Sequence, residues 1–241
     1  MADLVARVAQ IMAKAVRQAH DSALLPERLC LACVEALSVH AAAISLMADS
    51  THRVTVRASH EAAARIEDLQ YTLGEGPCVE AFETGRPVLV SDLAGPDGDR
   101  WPVLASTAVR AAPVVRGVFA FPLHLNGTRF GVLDLYRFHP GPLDLPTLAG
   151  ARVAVDAARL ALAGSFLPTD AKDGDWPPWL QDPLLEGVEV DQAVGMIMAQ
   201  LRVPAEVALS RLRGYAFAND QSVTEVAKAV VERRTRFTEH D

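Results

Sequence analysis

The residues able to do chemistry fall into two groups. The first holds the pair Cys30-Leu31-Ala32-Cys33, a third thiol at Cys78, the histidines His60, His124 and His139, and the carboxylates Glu75, Glu80 and Glu83. A CxxC pair can help hold zinc or exchange a disulfide, but the chain has 3 cysteines and no second pair. Cys33 shares a helical stripe with Leu29 and Ala36, and Cys30 shares one with Val34 and Leu37. That spacing predicts small core residues. The histidines fall on different predicted elements and form no triad or ligand set. The glutamates read as helix N-terminal and surface carboxylates, not as an acid–base pair. No GxxxxGK[ST] loop and no GxSxG elbow occurs, so the sequence assigns no catalytic residue and no metal ligand, and predicts no enzyme.

The second group is cationic and lies near the C-terminus. Lys228, Arg233, Arg234 and Arg236 stand against Glu232, a local +3, and Arg211 and Arg213 precede them. Cations near a helix C-terminus contribute roughly 0.3–1 kcal/mol each. Four exceed what capping needs, which leaves a solvated charge run or a phosphate-binding surface. Tyr215 and Phe217 do not easily face the same core, and Tyr215 is the ring expected outside, as a half-buried side chain or a stacking platform for a base.

The elements that must position these groups follow from periodicity. Leu4, Val8, Ile11, Ala15 and Ala19 recur at helical spacing, and Pro26 opens a second helix running to Leu37. Residues 42–47 and 54–58 alternate as strands around a polar turn, and 61–69 reads as a short helix. A glycine turn at Gly74–Gly76 feeds a helix opened by Pro77 and closed by Gly85. A short strand at 88–91, a loop at 92–100 and a helix at 101–111 follow. Residues 117–125 and 129–138 are strands joined at Asn126-Gly127, a strong hairpin dipeptide, and 145–162 is an alanine-rich helix. Helices around a hairpin-rich sheet indicate an α+β domain over 26–164, preceded by an N-terminal helix within 1–25.

Residues 165–179, with three prolines and three aspartates, read as a linker. Beyond it, residues 188–201, 204–219 and 224–237 repeat apolar positions at three and four, and Ser222 to Glu225 forms a capping-box pattern. This predicts a three-helix module over 180–237, with Gly195 admitting close helix approach beside Ala193. The Val5, Val8, Met12 and Ala15 face is expected to join the 145–162 helix in a dimer interface, the alternative being that it packs back on its own domain.

The whole chain has 241 residues, is 50% hydrophobic and carries a net charge of −7. Half the residues can be buried, which excludes disorder as the main state. No run of about 18 apolar residues occurs, so no membrane span is expected, and three cysteines are too few for a disulfide scaffold and suit a reducing cytoplasm. From residue 180 onward, seven Lys or Arg face ten Asp or Glu, net −3. A nucleic-acid surface here must therefore be a local patch.

Several segments together resemble known families. Gln192-Ala193-Val194-Gly195-Met196-Ile197-Met198, Ala208 to Arg213, Ala216-Phe217-Ala218 and Glu225-Val226-Ala227 resemble an ANTAR domain. Val194 stands where many ANTAR sequences carry a basic residue, which removes one phosphate contact. Leu73 to Ala81, Trp101-Pro102, Phe121-Pro122-Leu123 and Phe130 to Tyr136 resemble the GAF domains found upstream of ANTAR in actinobacterial antitermination regulators. The resemblance implies a GAF-like antiparallel sheet flanked by helices, followed by a three-helix ANTAR module that binds hairpins in leader transcripts. Arg211, Arg213, Tyr215, Lys228, Arg233 and Arg234 are then the expected RNA contacts, and the expected assembly is a cytoplasmic homodimer. A small-molecule ligand in the GAF-like domain would be lined by Cys78, Trp101, Phe119 and Phe121. Neither a cyclic-nucleotide signature nor a chromophore-attachment motif occurs, so the cofactor stays unassigned. Two other readings remain open: an interaction or dimerisation module without RNA, and a thiol or metal sensor.

Overall fold

A computed structural model describes residues 2–19, 22–48, 53–165 and 188–238. Strands β1 (Ala41–Met47), β2 (Arg53–Ala58), β3 (Val88–Val90), β4 (Gly117–Leu125) and β5 (Thr128–Arg137) form one antiparallel sheet in the order β2-β1-β5-β4-β3. The β4–β5 turn holds Asn126 and Gly127 at φ 51° and 84°. Two successive positive φ angles match the twist of a two-residue hairpin.

Alternation along the strands makes two unlike faces. Ile44, Phe119, Phe121, Leu133 and Leu135 project to one side, against α1 (Ala2–Gln18), α2 (Leu25–Ala36) and α6 (Leu145–Ser165). Ala43, Val118, Ala120, Val132 and Tyr136 project to the other, under α3 (Glu61–Leu73), α4 (Pro77–Thr84) and α5 (Pro102–Ala111). Cys30 and Cys33 are buried on α2 in the first layer, where burial pushes the Cys33 thiol up to about 12.

The first helix departs from expectation. Val8 and Met12 are fully buried against α2 and α6 of the same chain, and Ala15 nearly so. Gly150 of α6 allows this approach: a Cβ there would stand 3.2 Å from Val8 and 3.0 Å from Leu37. The apolar stripe expected at a dimer interface is thus covered intramolecularly.

Helices α7 (Val188–Leu201), α8 (Ala205–Ala218) and α9 (Val223–Val231) surround their own core of Ala193, Ile197, Leu212, Val226 and Val230. The Ser222–Glu225 capping box forms, with Glu225 N–H donating to Ser222 Oγ at 3.1 Å and Ser222 N–H donating to Glu225 at 2.8 Å. Helix α9 stops at Val231, short of the expected Phe237. Arg233 is left-handed at φ 61°, and the N–H groups of Arg234 and Thr235 turn back to the Ala229 carbonyl at 2.8 and 3.1 Å. The turn lets Phe237 enter the core, its N–H donating to Gln200 at 2.8 Å. Gly195 is exposed, and a Cβ there would meet nothing within 4 Å, so close helix approach is not its reason. The proposed linker at 165–179 lies almost wholly outside the described residues.

Candidate functional site

The face of the sheet under α3 and α4 is not dry. Period-two alternation points Ser45 of β1 and Asp134 and Tyr136 of β5 the same way, and β2 brings Arg53 beside them. From α3 come Glu67 and Gln70, one turn apart on its inner face, and from α4 comes Cys78. Glu67 is the hub. It pairs with Arg53, accepts from Ser45 Oγ at 2.8 Å and accepts from the Tyr136 hydroxyl. Arg53 also donates to Ser45 Oγ at 3.1 Å. The start of α4 is tied in by Cys78 N–H donating to Gln70 Oε1 at 2.8 Å. Gly76 makes that contact feasible. Its φ is 133°, and a side chain there would collide with Gln70 and Leu104 at 2.6 and 2.8 Å.

Burial is complete and compensation is uneven. Ser45, Glu67, Gln70, Cys78, Asp134 and Tyr136 are all 0% exposed. Asp134 lies by the Cys78 thiol, a weak donor, and neither carboxylate oxygen has a hydrogen-bond partner among the described residues. Burial raises the Asp134 carboxyl to about 7 despite nearby Arg53, and raises the Cys78 thiol and Tyr136 hydroxyl as well. Gln70 Nε2 is also without a partner among the described residues. Buried polar atoms rarely remain unsatisfied.

The outer side of α3 carries the helical module. Arg213 of α8 lies over Tyr71, 5.2 Å from the ring centroid, with its Nη1 close to Gly74. It sits at the C-terminal turn of α3, where the helix dipole favours a cation. The desolvation there lowers the guanidinium's pKa. Thr224 at the start of α9 meets Arg53, Thr55, Asp68 and Tyr71 around a small crevice between the two units. Arg53 therefore touches both the crevice and the buried cluster.

The residues proposed from sequence separate accordingly. Cys78 and Trp101 are buried on the polar side of the sheet, whereas Phe119 and Phe121 point into the opposite layer. Strand parity prevents the four from lining one pocket. Arg211, Lys228, Arg233 and Arg234 are exposed, but Arg213 is largely enclosed by α3. Arg233 and Arg234 lie beyond α9, not on it, and Arg234 donates to Glu232 at 2.7 Å. Phe217 is the more exposed ring, at 43%, while Tyr215 is half-buried and packs on Phe237 with ring centroids 5.2 Å apart. His60 and His139 approach through a ring cluster with His40 and Phe138, which spacing along the chain did not suggest. Arg53, Glu67 and Asp134 were missed altogether, although Asp134 is a lone charge inside an apolar strand.

An α+β domain carrying a separate helical module on one of its helices makes a two-domain protein. The chain belongs to the GAF domain family, which matches residues 23–163, and an ANTAR domain matches residues 180–231. ANTAR is an RNA-binding antitermination module and GAF a sensor domain. Among solved structures, free methionine-R-sulfoxide reductase from Neisseria meningitidis, in complex with its substrate, is 19% identical over 66% of this chain and 87% of that one, with a TM-score of 0.45. The GAF domains of phosphoenolpyruvate-protein phosphotransferases from Coxiella burnetii and Acinetobacter are 15% and 11% identical. They cover 66% and 68% of this chain and 98% and 92% of their own, at TM-scores of 0.45 and 0.48. Likeness at this level says nothing of ligand or activity. No curated protein matches the chain. No helix among the described residues is long and apolar enough to cross a membrane.

Proposed function

We propose that this chain is a non-enzymatic, cytoplasmic regulator in which the GAF domain controls whether the ANTAR module grips hairpins in leader transcripts and hinders terminator formation. The observation that carries the reading is the division of the module's cations. Lys228, Arg233 and Arg234 remain exposed, whereas Arg213 is withdrawn against Tyr71 of the sensor domain. Exposed cations meet phosphates and set the salt dependence, and an exposed guanidinium can stack on a splayed loop base. Rotation of α8 away from α3 would release Arg213 for that role. Two such modules in a homodimer would hold one transcript with the benefit of effective concentration.

Binding of a structured leader hairpin, measured by gel shift at several salt concentrations, tests the proposal. Changing Lys228, Arg233 and Arg234 together to Gln should flatten the salt slope by about 2, since each single-strand phosphate contact contributes roughly 0.7. Tyr71→Ala should tighten binding by releasing Arg213. Unchanged binding by the triple variant at low salt would remove RNA contact from this patch.

A further inference from the structure

We propose that Glu67, Cys78 and Asp134 form a binding site for a divalent transition-metal cation of the zinc class. One ligand atom from each residue lies within 4.8 Å of the other two, and all three residues are fully buried. Around a zinc-sized cation, with bonds of about 2.0–2.3 Å, such atoms lie roughly 3.2–3.8 Å apart. Small side-chain movements therefore close the site. The independent mark of a missing partner is Asp134, whose two carboxylate oxygens have only the weak Cys78 thiol beside them and no other hydrogen-bond partner among the described residues. A buried carboxylate left in that state is costly, and a cation removes the cost.

The donor set selects the kind of ion. Calcium and magnesium take oxygen ligands, whereas a thiolate beside two carboxylates suits a borderline-soft cation. Charge agrees as well. A divalent ion, the Cys78 thiolate, the Glu67 and Asp134 carboxylates and the Arg53 guanidinium together come to zero. Cys78 loses its thiol proton to solvent when the metal binds, and no electron changes hands. Arg53 pairs with Glu67 through Oε2 and donates to Ser45, so its charge enters the balance and not the coordination. Ser45 and Tyr136 donate to Glu67 and hold its carboxylate in place, the role of an outer shell around a metal. Three protein ligands leave one tetrahedral position for water or a small anion. The site is distinct from the CxxC pair, which packs in the opposite layer.

The full chain, refolded from denaturant with either zinc or cobalt(II) and then desalted, tests this directly. Elemental analysis should find one metal per chain. The cobalt form should show thiolate-to-cobalt charge transfer in the near ultraviolet and intense tetrahedral bands in the visible. Cys78→Ser and Asp134→Asn should each lose the retained metal, and Cys78→Ser the charge-transfer band, with the far-ultraviolet circular dichroism unchanged. Tyr136→Phe should bind zinc about 10–100-fold more weakly, as expected for loss of a group that orients a ligand. The double variant Cys30→Ser, Cys33→Ser should behave as the parent. No retained metal in the parent, or retention that follows Cys30 and Cys33 instead of Cys78 and Asp134, overturns the site. Neither result depends on RNA binding.

Discussion

The two faces of the sheet are equally buried and built on opposite principles. Behind β1, β4 and β5 the layer with α1, α2 and α6 is apolar, closed by Ile44, Phe119, Phe121, Leu133 and Leu135. In front, the layer with α3 and α4 encloses Arg53, Glu67, Gln70, Cys78 and Asp134. The apolar face gains from each methylene removed from water, at about 25 cal/mol per Å². The polar face must repay the desolvation of each charge, and for Glu67 it does so with three partners while for Asp134 it does not. A protein tolerates such a deficit where the group serves something besides packing. The polar layer lies on the α3 side, the same side on which the ANTAR module docks.

Substitutions can break or sharpen that contrast. The largest loss is expected on the apolar face, where Phe119→Ala should cost about 3–5 kcal/mol by opening a cavity, read by chemical denaturation. On the polar face, Arg53→Met should cost up to about 3–5 kcal/mol by stranding the Glu67 carboxylate. In metal-free buffer, Asp134→Asn should instead be neutral or stabilise by about 1–2 kcal/mol, because it removes a charge whose desolvation outweighs the help of nearby Arg53 and the Cys78 thiol. Opposite signs for two neighbouring, equally buried charges would establish that one is structural and the other held in reserve. A loss for Asp134→Asn as large as for Arg53→Met would erase the distinction.

Smaller effects lie outside both layers. Gly195→Ala, on an open helix surface, should raise the stability of the helical module by about 1 kcal/mol in thermal melts. The smallest expected effect is at Asp92, whose carboxyl is held below its ordinary range by Arg116, which donates to it at 2.8 and 2.6 Å. A lowered folded pKa stabilises the protein above the unfolded value, near 3.9, and that contribution is lost as pH falls through the lowered value. The stability difference between the parent and Arg116→Gln should therefore be present at neutral pH and shrink below about pH 4.

Local chemistry made much of the fold readable. Asn126-Gly127 can hardly do anything but turn a hairpin, Gly85 closes α4 in the left-handed conformation, and Ser222 with Glu225 starts α9. These features depend on neighbours within a few residues, so spacing along the chain suffices to find them. The C-terminal end of α9 was harder, because Phe237 bends the chain to reach a core that α7 and α8 complete. Periodicity showed that α1 has an apolar stripe but not that α6 would cover it.

The buried cluster shows where such reading stops. Asp134 is a charge inside an apolar stretch of β5, but its company comes from β2, α3 and α4, and only the sheet register and helix docking bring them together. Strand parity likewise sent Phe119 and Phe121 away from Cys78, and the docking of α8 on α3 enclosed Arg213 while leaving Phe217 in solvent. Residue type and spacing determined which elements form, because the backbone torsions, caps and turns they need are local. Tertiary packing decided which side chains share a face, because burial and charge compensation are settled between segments far apart in the chain.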